Sequence, residues 1–390
     1  MGLRRPATSS VERPLRLSYQ RFYLLHDARL SDYLETKSYV ALTDTMKAIF
    51  FEKHGEIDTL KYADVPQPEP KLGEALVRVR AVALNHLDIW VRKGWPGLHL
   101  EMPHIGGSDV AGEIMAVNTP GTTWTPGTRV IINPGIITSE DEWTRKGEDS
   151  LSPGYRILGE QVRGGLAEYV CVPIANLFRL PDGISFEEAA APLLVGLTCW
   201  RMLFKRAALR AGETVLVVGA GGGVNSLAIL LARAAGASVI ALAGGADKVE
   251  KAFALGAQSV IDYTKHVEWQ TEVLKLTKGR GVDVVVDNVG SKTMPKSLRS
   301  VARGGRIVTV GNTKGYELSF DNRLLFTKQV SLLGSTMGSR QDFIEVMEFL
   351  FQNKIRIPID TVAPLSDGIK MIKRLESGQQ FGKIVLLPAA

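Results

Sequence analysis

The chain has 390 residues, 45% of them hydrophobic and 23% charged; this is globular composition, and more chain than one ordinary core holds, so two domains are expected. Two cysteines, Cys171 and Cys199, are too few for a disulfide scaffold or a four-thiolate zinc site. The net charge of +6 is spread along the sequence without a basic run, which argues against a nucleic-acid partner, and no apolar stretch reaches the roughly 18 residues of a membrane span.

Residues 1–45 read differently from the rest. In the first 25 positions Arg4, Arg5, Arg13, Arg16 and Arg21 face a single acid, Glu12, with Ser and Thr interspersed. That composition suits an organelle transit peptide, but also a disordered tail or an upstream start ahead of Met46. Asp27, Asp32 and Glu35 dilute the targeting signal further on. A cytoplasmic location is therefore expected, and a mitochondrial one if the segment is a genuine transit peptide.

From Met46 to about Val195 the pattern is short strands with turn punctuation. MKAIFF opens the series; EALVRVRAVAL (74–84), DVAGEIMAV (109–117), GTRVIIN (127–133) and GLAEYVCVP (165–173) continue it, with Trp95-Pro96-Gly97 and Pro126-Gly127 as turns. The pattern then changes. ETVLVVGAGGG (213–223) is a buried strand entering a glycine loop, and VNSLAILLARAAGA (224–237) is a helix closed by Gly236. Further strands follow in SVIALAGG, SVIDY, VDVVVDNVG, GGRIVTVGN and VSLLGST, with helical segments between several of them. Such alternation means βαβ units and a doubly wound parallel sheet. The tail from 340 to 390 carries one helix, DFIEVMEFLFQNK, and a late strand, KIVLLP.

A glycine loop between strand and helix lets backbone N–H groups approach a pyrophosphate at the positive end of the helix. Here it comprises Gly219, Ala220, Gly221, Gly222, Gly223 and Val224, and the place of a third motif glycine falls on Val224 or Asn225. About 20 residues on, an acid would bond the ribose of NAD. The second strand ends instead on Ala243 and Gly244, with Lys248 and Tyr263 nearby. A small neutral tip leaves room for a 2′-phosphate, so NADPH is the expected cofactor, with NADH possible.

Together these features resemble the medium-chain dehydrogenase/reductase superfamily. The stretches that carry the likeness are LNHLDIWVRKG (84–94), GGSDVAGE (106–113), YRILGEQVRGGLAEYVCVP (155–173), LGSTMG (333–338) and FGKIVL (381–386), besides GAGGGV. The resemblance implies an α/β fold: a Rossmann dinucleotide-binding domain over 196–339 and a β-rich GroES-like catalytic domain over 46–195 and 340–390. It also implies a homodimer through sheet edges near VSLLGST.

Zinc members of this superfamily carry a structural site of four cysteines spaced C-x2-C-x2-C-x7-C. Laid on this chain, that spacing falls on Thr138, Asp141, Thr144 and Ser152, none of them a thiolate. The first catalytic ligand position falls on Asn85, the His-Glu pair on Ser108-Asp109, and the third ligand region shows Val195. No metal is expected, and His86 reads as a capped or solvated histidine.

Without a Lewis acid, what remains is hydride delivery from a positioned nicotinamide to an electron-poor acceptor, a quinone or an α,β-unsaturated carbonyl. The resemblance puts Asn85 and Asp88 on the cleft floor, with Asn85 donating to a substrate oxygen and Ser108 assisting. Thr198, at a helix start, and Asn288, Gly311, Asn312 and Thr313, at strand ends, would contact the cofactor. Tyr155 is a proton donor by residue type alone, and solvent is the alternative. Two other readings stay open: an alcohol or aldehyde dehydrogenase of the same superfamily, and a nucleotide-binding protein without turnover.

Overall fold

Alternating buried and half-buried positions build the first half of the molecule. The computed structural model describes residues 45–389; the expected N-terminal extension lies outside the described residues but for Thr45. In chain order the strands of this half are β1 (Thr45–Phe51), β2 (Lys61–Pro66), β3 (Glu74–Ala83), β4 (His104–Ile105) and β5 (Asp109–Asn118). They are followed by β6 (Arg129–Ile132), β7 (Gly135–Ile137), β8 (Tyr155–Ile157), β9 (Tyr169–Pro173) and β10 (Leu177–Arg179). Between β3 and β4 stands one helix, α1 (His86–Lys93). β3 is the hub: it pairs antiparallel with β5 on one side, with β9 over its first half, and with the C-terminal end of the chain over its second. Val77, Val79, Val82, Ile114, Val130, Ile132 and Leu386 close the core of this lobe.

The second half is a parallel sheet. α2 (Leu193–Trp200) leads into β11 (Thr214–Val218), α3 (Gly223–Ala234) and β12 (Ser238–Ala243). β13 (Ser259–Asp262), β14 (Val282–Asp287), β15 (Val301–Thr309) and β16 (Ser331–Gly334) complete it. The order is β13-β12-β11-β14-β15-β16, every pairing parallel. Numbered from β11, that is 3-2-1-4-5-6, the doubly wound arrangement whose crevice opens at the carboxyl ends of the first and fourth strands. The central strands are apolar on both faces because helices cover both sides.

The tail differs from the sequence expectation of one helix and one strand. After α4 (Arg340–Gln352) come β17 (Ile359–Pro364), a second helix α5 (Gly368–Glu376) and β18 (Lys383–Leu387). Ile359–Pro364 alternates too weakly to read as a strand alone; its register is set by parallel pairing with β18. β18 in turn pairs with β3 at Ala83 and Val82. The last strand thereby reaches the edge of the crevice, directly before the loop that leads into α1.

Candidate active site

The glycine loop forms as its spacing requires. Gly219 has φ +88°, a left-handed backbone that lets the chain turn sharply out of β11. Gly222 caps α3 without any side chain reaching its free N–H groups, which leaves the positive end of the helix open. A Cβ on Gly222 would meet nothing within 4 Å, so the open side of the loop is the approach that a pyrophosphate needs. In place of a third motif glycine, Asn225 locks the loop. Its Nδ2 donates to the carbonyls of Val218 and Gly219 at 2.7 and 2.8 Å, and its Oδ1 accepts from Asn288 Nδ2 at 2.8 Å. Asn288 Oδ1 accepts the Val310 N–H at 2.8 Å, so two asparagines tie together the carboxyl ends of β11, β14 and β15.

All the cofactor residues expected from the sequence except Asn312 line one cleft of about 620 Å³. Asn312 stands off it, between Gly311 and Thr313, which do line it. Thr198 lines it too, but near the end of α2 rather than at a helix start, with its hydroxyl 3.8 Å from Met337 Sδ. At the tip of β12 a Cβ on Gly244 would run into the Tyr263 hydroxyl at 2.4 Å. Tyr263 therefore lies across the tip. Lys248 Nζ donates to the Gly378 carbonyl at 2.7 Å, and burial lowers its pKa. The returning tail also touches the loop itself, through Gly382 N–H to the Gly221 carbonyl at 3.0 Å.

At the other end of the cleft, three expected catalytic residues take different places. Asn85 lines the cleft, but its amide cannot donate to a substrate as expected: Nδ2 donates to Asp109 Oδ2 at 3.0 Å and, at 3.4 Å, to the Ala83 carbonyl. Asp88 stands behind the wall. Its carboxylate accepts the Asn85 N–H at 2.7 Å and the Gly107 N–H at 2.9 Å, pinning the start of α1 to the Gly106-Gly107 turn. Burial nonetheless pushes its carboxyl up to about 6, against the pull of those two N–H donors. Ser108 is fully buried and does not reach the cleft. Tyr155 is likewise away from it, donating to the Gly338 carbonyl at 3.1 Å, with burial raising its phenol.

Lys383 and Asp109 are the residues that sequence reasoning passed over as functional. Lys383 lines the cleft although only 2% of it is exposed, and its Nζ donates to Asp109 Oδ2 at 2.8 Å and Asn85 Oδ1 at 2.6 Å. Asp109 is fully buried; its other oxygen accepts the Leu194 N–H at 2.6 Å. Burial raises the Asp109 carboxyl while the Lys383 ammonium draws it back. The lysine is held from below as well, since a Cβ on Gly223 would come within 2.9 Å of its Cδ. Only the FGKIVL stretch marks this position, as part of a resemblance; no local pattern connects residues 109 and 383. His86, Trp90 and Glu160 also line the cleft. Burial, first, and the charges of Lys383 and Lys314 lower the His86 pKa, so its ring is neutral near pH 7; burial raises that of Glu160.

The donor set does not suit zinc. Asn85, Ser108, Asp109 and Val195 offer one carboxylate, already bonded to an ammonium, and no thiolate or imidazole. Among the described residues no group of three or more His, Cys, Asp and Glu is placed to hold a metal ion. At the second position, over 138–152, the four residues form a hydrogen-bonded loop. Asp141 accepts the N–H groups of Trp143 and Thr144 at 2.8 and 3.0 Å and the Ser152 hydroxyl at 2.7 Å, and Thr138 Oγ1 donates to the Gly154 carbonyl at 2.7 Å.

Comparison with known proteins agrees with this architecture. Residues 71–182 match the alcohol dehydrogenase GroES-like domain, and residues 223–352 match the zinc-binding dehydrogenase family. An NAD-dependent alcohol dehydrogenase of Sulfolobus acidocaldarius is 32% identical over 349 residues, 87% of this chain and 99% of that protein. A crystal structure of an NAD-dependent alcohol dehydrogenase superposes with a TM-score of 0.84 at 42% identity, covering 88% of this chain and 99% of the other. A crotonyl-CoA carboxylase/reductase superposes with a TM-score of 0.81 at 27% identity, covering 89% of each chain.

Proposed function

This chain belongs to the medium-chain dehydrogenase/reductase superfamily, and from that premise we propose that it is a zinc-independent, NADPH-preferring reductase of quinones or α,β-unsaturated carbonyls. One observation carries the reading. The dinucleotide end of the cleft is intact, with an open glycine loop at a helix N-terminus, while the position of the polarising metal holds Asn85, Asp109 and Lys383. A bound nicotinamide dinucleotide supplies hydride. The chain's own part is to hold the pyrophosphate at Gly221–Gly223, to seat the nicotinamide half between Thr198, Val310 and Gly311, and to present the acceptor beneath α1.

Loss of the Lewis acid favours acceptors that are already electron-poor over simple alcohols and aldehydes. The relatives named as alcohol dehydrogenases support the second reading, in which alcohols and aldehydes are substrates; the carboxylase/reductase supports the first. The decisive assay follows NADPH absorbance across a panel of quinones, enones and aldehydes, with and without chelator. Turnover of quinones or enones, insensitive to chelator, is expected. Activity lost to chelator and restored by Zn²⁺ overturns the metal-free reading, and NADPH binding without oxidation by any acceptor leaves a binding protein.

The preference for NADPH rests on the neutral tip Ala243-Gly244, with Lys248 and Tyr263 beside it. Lys248→Ala is expected to weaken NADPH binding far more than NADH binding; equal effects remove that preference, and two archaeal relatives are named as NAD-dependent. The division into a catalytic part over 46–195 and 340–390 and a dinucleotide part over 196–339 belongs to the same proposal. So does a homodimer through β16, the outermost strand of the parallel sheet, to be checked by light scattering.

A further inference from the structure

We propose that Lys383 is a catalytic residue of this chain: its ammonium donates a hydrogen bond to the acceptor oxygen of the substrate, in the place where a metal-dependent relative polarises that oxygen. The inference rests on the reductase reading and names the group that does its electrostatic work.

Three observations converge on it. First, the cation is at the right wall: Lys383, Asn85 and Val195 all line the cleft, and two of them occupy positions where zinc ligands are expected by resemblance. Second, an ammonium has three N–H donors, and two are spoken for, by Asp109 Oδ2 at 2.8 Å and Asn85 Oδ1 at 2.6 Å. Among the described residues nothing else lies within hydrogen-bond reach of Nζ, so the third donor is available to a ligand. Third, the group is preorganised. Gly223 leaves room for the stem, Asn85 is fixed through its Nδ2, which donates to Asp109 and to the Ala83 carbonyl, and Asp109 is anchored by the Leu194 N–H. A fixed, buried donor is worth far more than one in solvent, because little reorganisation is needed as charge develops.

The chemistry balances on that atom. Hydride from a reduced nicotinamide dinucleotide forms a C–H bond at the β-carbon of an enone. The C=C π pair moves toward the carbonyl carbon and the C=O π pair moves onto oxygen. That oxygen gains one negative charge as the dinucleotide is oxidised, and the Lys383 N–H stabilises it there. A proton from solvent then completes the two-electron reduction, and Lys383 keeps its own proton. A quinone takes the hydride at a ring carbon conjugated to one carbonyl and the charge arrives on that carbonyl's oxygen; after protonation, the ring carbon loses a proton and the other oxygen gains one, giving the hydroquinone.

A lysine that only ties β18 to β5 would affect folding and leave acceptor preference alone, and this difference is what the test reads. Lys383→Met by itself strands a buried carboxylate, so the working variant is the neutral pair Lys383→Met with Asp109→Asn; there the carbonyl of the introduced amide can still accept the Leu194 N–H. Expected for the folded double variant is unchanged NADPH binding by fluorescence, a kcat about 10²–10³-fold lower on weakly electrophilic enones, and a much smaller loss on strongly electrophilic quinones. Equal losses on all acceptors, or no loss, overturn the proposal. A second readout needs no turnover. p-Nitrophenol bound to the enzyme with NADP⁺ mimics the oxyanion, and its ionisation is expected to shift to lower pH in wild type by about one pH unit or more relative to the double variant. The same phenol ionisation in both proteins overturns the role of Lys383. Wild type that turns over no quinone or enone, yet shows the phenol shift, overturns the reductase reading and leaves Lys383 standing.

Discussion

Two regions of this protein correspond by resemblance to the metal sites of zinc-dependent members of the superfamily, and they are held together by opposite means. The 138–152 loop replaces its ligands with hydroxyls and one carboxylate, all close in sequence and near the surface; Asp141 acts as a helix cap and Ser152 closes onto it. The cleft position replaces its ligands with a buried ion pair and an amide joined across 274 and 298 residues. A local, partly solvated network substitutes for the folding role of a structural metal, because it only has to hold a loop closed. A buried cation lining a cleft does more on the proposed reading, where its positive charge acts on the substrate oxygen. The contrast separates a loop held by local hydrogen bonds from a cleft corner held by a buried ion pair.

That contrast can be broken or sharpened by experiment. The largest effect is expected from Lys383→Met alone, which leaves Asp109 uncompensated and destabilises the fold by about 3–5 kcal/mol in denaturant titrations. A loss below about 1 kcal/mol would mean that the pair carries little of the packing between β5 and β18. Next comes the pH dependence of Asp88. Its folded pKa of about 6 lies above the unfolded 3.8, so the folded state binds the proton more tightly. Wild type should therefore lose stability relative to Asp88→Asn as pH rises from about 4 to about 6, by about 3 kcal/mol in total. Wild type that instead gains stability relative to Asp88→Asn over that range would mean that the two N–H donors outweigh burial.

Gly222→Ala is expected to weaken NADPH binding by about tenfold or more, about 1.4 kcal/mol, because the added methyl projects into the open side of the loop without touching protein. Stability should stay within about 0.5 kcal/mol; unchanged binding would place the pyrophosphate elsewhere. The smallest effects belong to the loop. Ser152→Ala should cost about 1 kcal/mol and leave turnover intact. Here the sign of the pH dependence reverses: Thr144 N–H and the Ser152 hydroxyl hold Asp141 below the usual carboxylate range, so its contribution is lost as pH falls through that range. Loss of activity in Ser152→Ala would couple the two regions that the structure keeps apart.

Much of this protein is legible in order along the chain. The strand entering GAGGGV, the helix after it and the strand–helix alternation predict a doubly wound sheet, because hydrophobic period and glycine placement are local properties. The missing thiolates are legible too, since ligand chemistry is a matter of residue type at a spacing. The tail is harder: Ile359–Pro364 becomes a strand only because β18 lies beside it, and no window of sequence contains that neighbour. Asp88 and Ser108 look like cleft residues from their positions in the resemblance, yet the turn at Gly106-Gly107 draws one into a backbone-capping role and buries the other.

The sequence by itself determined the class of fold, the glycine loop between strand and helix and the residue types at the positions where zinc ligands are expected by resemblance, for each depends on residue type and local spacing. The tertiary structure alone decided that Asn85 spends its amide on Asp109, that Asn225 and Asn288 clasp three strand ends, and that Lys383 reaches the wall of the cleft. Among these contacts, Asn85 stands 24 positions from Asp109 and 298 from Lys383. The asparagine clasp exists because parallel pairing sets the carboxyl ends of β11, β14 and β15 side by side. The contacts of Lys383 exist because antiparallel pairing of β18 and β5 on β3 brings the last strand of the chain against the first turn of the site, and a charge buried there persists only with its partners in place.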